Sequence, residues 1–235
     1  MNNPELVTVI PVYNESANIE SVVAGWVACF KGVGAEGLII LLNDGSKDNT
    51  AEILERIAAA YGPKVRVVNK SNSGHGRSCR AGYELALELE PSWVFQIDSD
   101  GQCDPVYFND IWTGREEFDC IFGMRTVRDD GLGRVFVTTG CRMLLRLITG
   151  TYMRDANLAY RLMRSSILRA ALPKVPADFD IQNIALTLAL RRLPNVRWKY
   201  VPIRFLPRRG GENSINFQKI IRMGLRMLCD LRRVG

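Results

Sequence analysis

The sequence predicts an α/β domain with a mostly parallel central sheet and helices on both faces, followed by a C-terminal amphipathic helix. Three observations carry this. Short runs of branched apolar residues recur at Leu6–Ile10, Leu38–Leu42, Val65–Val68, Trp93–Ile97 and Cys120–Phe122, as in strands buried on both faces. Segments of helical period separate the first four, and strand–helix alternation of this kind implies a parallel sheet. A polar loop follows each of these four runs, at the edge where such sheets hold their ligands.

The elements follow in order. Between the first two strands, Asn18–Lys31 is apolar at Ile19, Val22, Val23, Trp26, Val27 and Phe30, one face of a helix. A capping box, Asn49-Thr50-Ala51-Glu52, precedes Ile53, Leu54, Ile57 and Tyr61 and starts a second helix. Ser78–Leu89 reads as a third, ended by Glu90-Pro91. Further on, Gly140–Ile148 is a short amphipathic helix, Asp178–Leu193 a longer apolar one and Tyr200–Leu206 a strand. The last stretch, Ile215–Arg233, combines Phe217, Ile220, Ile221, Leu225, Leu228 and Leu231 with basic residues at 219, 222, 226, 232 and 233. The expected organisation is one domain over 1–214 and a basic amphipathic helix over 215–235.

Composition narrows the class. A chain of 235 residues with 47% hydrophobic and 24% charged residues is ordinary for a globular protein. The net charge of +6 is unevenly spread: residues 1–124 hold 9 basic and 18 acidic side chains, residues 125–235 hold 22 basic and 7 acidic. Such asymmetry points to an anionic partner. The six scattered cysteines form no C-x-x-C pair, which argues for reduced thiols in a cytosolic chain. No apolar run reaches the roughly 20 residues that span a bilayer, and the N-terminus lacks the pattern of a signal peptide, so an integral membrane protein is not expected. No basic motif interleaved with aromatics supports nucleic-acid binding.

The four loops are Pro11-Val12-Tyr13-Asn14-Glu15, Asn43-Asp44-Gly45-Ser46-Lys47-Asp48, Asn72-Ser73-Gly74-His75-Gly76-Arg77 and Asp98-Ser99-Asp100-Gly101-Gln102. In the fourth, two carboxylates at i and i+2 leave a buried strand and can converge on one hard divalent cation that also holds phosphate oxygens, the arrangement Mg²⁺ favours. The bland alternative is a solvated acidic turn. A P-loop and a dinucleotide fingerprint are both missing, and a single histidine without G-x-S-x-G speaks against a hydrolase triad. His75, between glycines, reads as a loop-shaping residue, and Asp48 as a residue that shapes a turn and starts the second helix.

In this order and spacing the loops resemble the nucleotide-sugar domain of family 2 inverting glycosyltransferases, which have the GT-A fold. Within that family the motifs are most similar to dolichyl-phosphate mannosyltransferases and bacterial polyprenyl-phosphate glycosyltransferases. The likeness runs from about Leu6 to Ser214. It implies that Pro11, Tyr13 and Glu15 line the nucleoside and that Asp44, in an Asn43-Asp44-Gly45-Ser46 version of D-D-G-S, binds base or ribose. It implies that Asp98, Asp100 and Gln102 (D-x-D-x-Q) hold Mg²⁺ or Mn²⁺ on the sugar nucleotide. Arg125 in Gly123-Met124-Arg125, Arg134 with Thr138, and Arg208 or Arg209 with Ser214 would face the acceptor phosphate. Asp155 matches an Asp beside the acceptor, here followed by Ala159-Tyr160 in place of Gly-Phe.

The implied reaction is displacement of a nucleoside diphosphate from a hexose, with inversion, by a polyprenyl or dolichyl phosphate at the cytoplasmic membrane face. Asp100, Asp155 and Arg134 would carry the chemistry. A phosphate acceptor is already ionised and suits arginine, whose planar guanidinium binds it bidentately. A saccharide or protein hydroxyl would instead need a general base, and Asp155 is the candidate. Asp155 as a helix cap or a partner of Arg161, a silent nucleotide- or lipid-binding module, and a C-terminal helix that packs on the domain rather than lying on a peripheral membrane surface stay open alternatives.

Overall fold

The computed structural model describes residues 3–126, 157–179 and 181–206. Seven strands form one sheet: β1 (Leu6–Val12), β2 (Gly37–Asp44), β3 (Val65–Lys70), β4 (Trp93–Gln96), β5 (Cys120–Arg125), β6 (Arg161–Arg164) and β7 (Trp198–Ile203), in the order β3-β2-β1-β4-β6-β5-β7. The pairs β1–β2, β1–β4, β2–β3 and β5–β7 are parallel. Among the described strands, only β6 runs against its neighbours, β4 and β5. The expected architecture of a mostly parallel sheet with helices on both faces is therefore what the chain forms.

Two apolar clusters sandwich the sheet. Every residue of β1 is buried, and its side chains alternate between them. Val7 and Val9 join α3 (His75–Glu88), α5 (Ser165–Ala171) and α6 (Gln182–Arg192) on one face. Leu6, Ile10 and Val12 join α1 (Ile19–Gly32), α2 (Thr50–Tyr61) and α4 (Phe108–Thr113) on the other. Trp26 of α1 is the hub of that second face, with ring centroids 5.3 Å from Phe95, 5.8 Å from Phe108 and 5.7 Å from Tyr160. Gly82 is needed where α3 lies on β1, because a Cβ there would come within 2.2 Å of Val9 Cγ1.

The structure departs from the sequence reading in its details. Strand β6 is not foreseeable from Arg-Leu-Met-Arg, because arginine at a core position runs against any strand pattern. Arg161 is nonetheless fully buried. Its Nε donates to Leu158 O at 2.6 Å and its Nη1 to Asn183 O at 2.9 Å, and its guanidinium lies 4.9 Å from the centre of the Phe122 ring. Asn49 makes no side-chain cap. Asp48 caps α2 instead, its Oδ1 accepting from the Thr50 amide at 3.1 Å. Helix α3 begins three residues earlier than expected, at His75, and β7 ends at Ile203 rather than Leu206. The anticipated helices over 140–148 and 215–233 lie outside the described residues.

Candidate functional site

The first four loops meet at the carboxyl edge of the sheet and are sewn together by side chains. Asn14, with φ 53°, sits in the left-handed region, and its Oδ1 accepts from the Lys47 amide at 2.8 Å while its own amide donates to Ser46 Oγ at 3.0 Å. The Glu15 amide donates to Thr50 Oγ1 at 2.9 Å. Loops one and two thus hold each other. Asn43 makes the turn of loop two by accepting from the Ser46 amide at 3.1 Å, and donates to Asn69 Oδ1 at 2.9 Å.

Asp44 ties loop two to loop three. Its carboxylate accepts from the amides of Ser73 and Gly74, each at 2.9 Å, and forms an ion pair with Lys70. Lys70 is its register partner on β3 and also donates to Ser73 Oγ and Ser78 Oγ. Burial works to raise the Asp44 pKa, but the Lys70 ammonium and the Ser73 and Ser78 donors outweigh it and hold the carboxyl below its ordinary value. Gly45 is required here: φ is 67°, and a Cβ would lie 2.8 Å from the Asn72 nitrogen.

Of the residues expected to line a nucleoside, Pro11 is buried in β1, Glu15 is buried and accepts from Asn18 Nδ2 at 2.8 Å, and Tyr13 is 41% exposed. Tyr13 therefore offers an open aromatic face at the loop edge, whereas Pro11 and Glu15 shape the turn behind it.

Loop four supplies the carboxylates. Asp98 and Asp100 are half-buried. The Asp98 Oδ1 atom is buried with no hydrogen bond, and His75 Nε2 stands 3.6 Å from it. A buried, unbonded carboxylate oxygen is costly unless a cation completes it. Asp100 Oδ1 accepts from the Gln102 amide at 3.0 Å across the turn at Gly101, whose φ is 75°. Among the described residues no cluster of three or more His, Cys, Asp or Glu side chains is built for a metal. Two carboxylates and the Gln102 amide oxygen are a hard, oxygen-only donor set, which fits Mg²⁺ or Mn²⁺ with positions left for phosphates.

The sequence reading missed two residues at this edge. Lys70 escaped because only the β2–β3 register brings it to Asp44. His75 opens α3 rather than merely shaping a loop, and it stands against Asp98. The Cys79 sulfur, then the Asp98 and Asp100 carboxylates, favour its protonated form and raise its pKa above the ordinary 6.5. Arg125, expected at the acceptor, is exposed, with its guanidinium 4.3 Å above the Phe205 ring. Arg134, Thr138, Asp155, Arg208, Arg209 and Ser214 lie outside the described residues.

Comparison with known proteins gives a consistent picture. The chain is 27% identical over 217 residues to an undecaprenyl-phosphate 4-deoxy-4-formamido-L-arabinose transferase of Edwardsiella ictaluri, a match covering 92% of this chain and 64% of the relative. The protein of that name from Shewanella sediminis is 30% identical over 168 residues, covering 70% of this chain and 49% of the relative. The matches thus span from about half to just under two thirds of the length of these relatives. Among solved structures, glucosyl-3-phosphoglycerate synthase of Mycobacterium tuberculosis, in complex with Mn²⁺, UDP and phosphoglyceric acid, superposes with a TM-score of 0.68 at 20% identity, covering 99% of this chain and 79% of that one. Mannosyl-3-phosphoglycerate synthase of Rubrobacter xylanophilus superposes with a TM-score of 0.67 at 13% identity, covering 98% and 73%. These two share the GT-A fold with this chain. The family model for glycosyl transferase family 2 matches residues 8–170, and the chain belongs to that family.

Proposed function

We propose that this protein transfers a hexose, with inversion, from a nucleotide sugar of the GDP-mannose or UDP-glucose type to a polyprenyl phosphate at the cytoplasmic face of a membrane. The observation that carries the reading is the buried, unbonded Asp98 Oδ1 beside Asp100, at the edge where four loops converge. The names of the curated relatives support the acceptor class.

In this reading Tyr13 packs on the nucleoside, and Pro11, Glu15 and Asp44 shape the turns that position it. Asp98, Asp100 and Gln102 hold Mg²⁺ or Mn²⁺. When bound, the cation neutralises charge that develops on the departing diphosphate. His75, with its Nε2 3.6 Å from Asp98 Oδ1, lines the same corner of the site. Arg125, together with Arg134, Thr138, Ser214 and Arg208 or Arg209, holds the acceptor phosphate, whose ionised oxygen attacks the anomeric carbon from the face opposite the leaving group. Such an acceptor needs no strong base, and Asp155 then orients it. The basic helix expected over 215–235 contacts anionic headgroups and keeps the protein at the membrane surface.

The test is sugar transfer to polyprenyl phosphate with Mn²⁺, measured for the wild type and Asp100→Ala, with free saccharides as competing acceptors. Transfer should fall by more than about a hundredfold in the variant while its melting temperature stays close to that of the wild type. Retained turnover would sink the metal assignment, and transfer to saccharides alone would sink the lipid acceptor.

A further inference from the structure

Gln102 makes contacts that the metal-ligand reading does not use. Its side-chain Nε2 donates to Leu206 O at 3.1 Å, and its main-chain oxygen accepts from the Leu206 amide at 3.0 Å. Its own amide donates to Asp100. One residue therefore clips the chain leaving β7 at both main-chain groups of Leu206 and braces Asp100 at the same time.

The position of Leu206 gives this clip its meaning. The β5–β7 ladder ends at the pair Arg125–Ile203, with one more bond from the Thr126 amide to Ile203 O. Phe205 and Leu206 lie beyond that ladder. Phe205 is the ring under the Arg125 guanidinium, and Leu206 is held to loop four through Gln102. The path from the carboxylates to the arginine platform is thus Asp100, Gln102, Leu206, Phe205, Arg125. A carbonyl oxygen can only accept, so Leu206 fixes which end of the Gln102 amide faces it. The Nε2 end is committed, and Oε1 is left free to serve as an oxygen ligand.

We propose that Gln102 is a positioning residue that latches the exit of β7 onto the Asp98–Asp100 loop, setting the Phe205–Arg125 platform at a fixed distance from the donor site. Resting on the transferase reading above, it couples the donor and acceptor halves of the site. Small misplacements of such groups are costly to transfer even when both substrates still bind.

Two variants separate the latch from simple metal ligation. Gln102→Ala removes both the donor and the oxygen. Gln102→Glu keeps an oxygen for a cation but has no N–H for Leu206 O and places like partial charges together. Deuterium exchange at the Leu206 amide reads the latch without any turnover, and should quicken about tenfold in both variants. Steady-state kinetics with Mn²⁺ and polyprenyl phosphate should show a roughly tenfold higher acceptor KM in both. For Gln102→Glu, which keeps an oxygen for a cation, the acceptor KM should rise by a larger factor than the donor KM. Unchanged exchange in both variants overturns the latch. A Gln102→Glu enzyme with wild-type acceptor KM overturns the coupling and leaves Gln102 as an oxygen ligand alone. If the wild type itself transfers no sugar to polyprenyl phosphate, the functional reading fails, and the exchange arm still decides the latch.

Discussion

Asp44 shows how single residues at this edge do structural and chemical work together. Its carboxylate is buried among the Lys70 ammonium and two loop amides, so loop three is shaped by a charge that belongs to loop two. Breaking a buried pair leaves the partner charged and unpaired, which costs more than the pair contributed. Asp44→Ala should therefore lower the unfolding free energy by about 2–4 kcal/mol in urea denaturation. A loss under about 0.5 kcal/mol would mean that Lys70 finds solvent at no cost. The buried thiols behave oppositely: desolvation pushes the pKa of Cys103 and Cys120 well up, which keeps them protonated and unreactive.

At the scale of elements, the β6-β5-β7 end of the sheet depends on one carboxylate. Asp119, just before β5, accepts from Arg197 Nε at 3.1 Å, Arg197 Nη2 at 3.0 Å, the Arg197 amide at 3.0 Å and Arg164 Nε at 3.0 Å. It thereby joins the beginnings of β5 and β7 to the end of β6. The Arg197 hydrogen bonds, against an opposing contribution from burial, hold its pKa at about 2, below the usual 3.8. Because the folded value is the lower one, the stabilisation is fully present above the unfolded pKa and disappears as the pH falls from about 4 to about 2. Wild type should be more stable than Asp119→Asn near pH 6, with the difference closing across that acid window in denaturation series. A gap that does not change with pH would refute the ionic role.

For the molecule as a whole, the charge asymmetry takes on two meanings. Several arginines of the basic half are architectural. Arg161 is sealed in the core, Arg164 and Arg197 bind Asp119, Arg169 donates to Leu87 O at 2.8 Å, and Arg191 lies 4.1 Å over the Trp198 ring. The basic surplus is therefore only partly available to an anionic partner. No helix among the described residues is long and apolar enough to cross a membrane; the membrane contact is proposed at the segment 215–235 on its basic, amphipathic sequence alone. Deleting that segment should leave the protein in the supernatant with vesicles of anionic lipid that sediment the full chain at low salt. Equal sedimentation of both forms would assign the contact elsewhere.

Local pattern and loop chemistry were legible without coordinates. Apolar runs located β1 to β5, helical period located α1 to α3, and four polar loops marked one sheet edge as the ligand edge, for which the resemblance to family 2 glycosyltransferases implied a nucleotide sugar. These are properties of neighbours along the chain, where periodicity and turn residues act directly. What escaped depends on neighbours in space. The β2–β3 register puts Lys70 on Asp44, the packing of α6 accepts the buried arginine of β6, and the start of α3 brings His75 to Asp98. The exit of β7 gives Gln102 a carbonyl to hold. Sequence by itself determined the order of the elements and the identity of the loop residues. Tertiary structure alone decided which charges face each other, because pairing energies depend on distance and burial that no sequence pattern encodes.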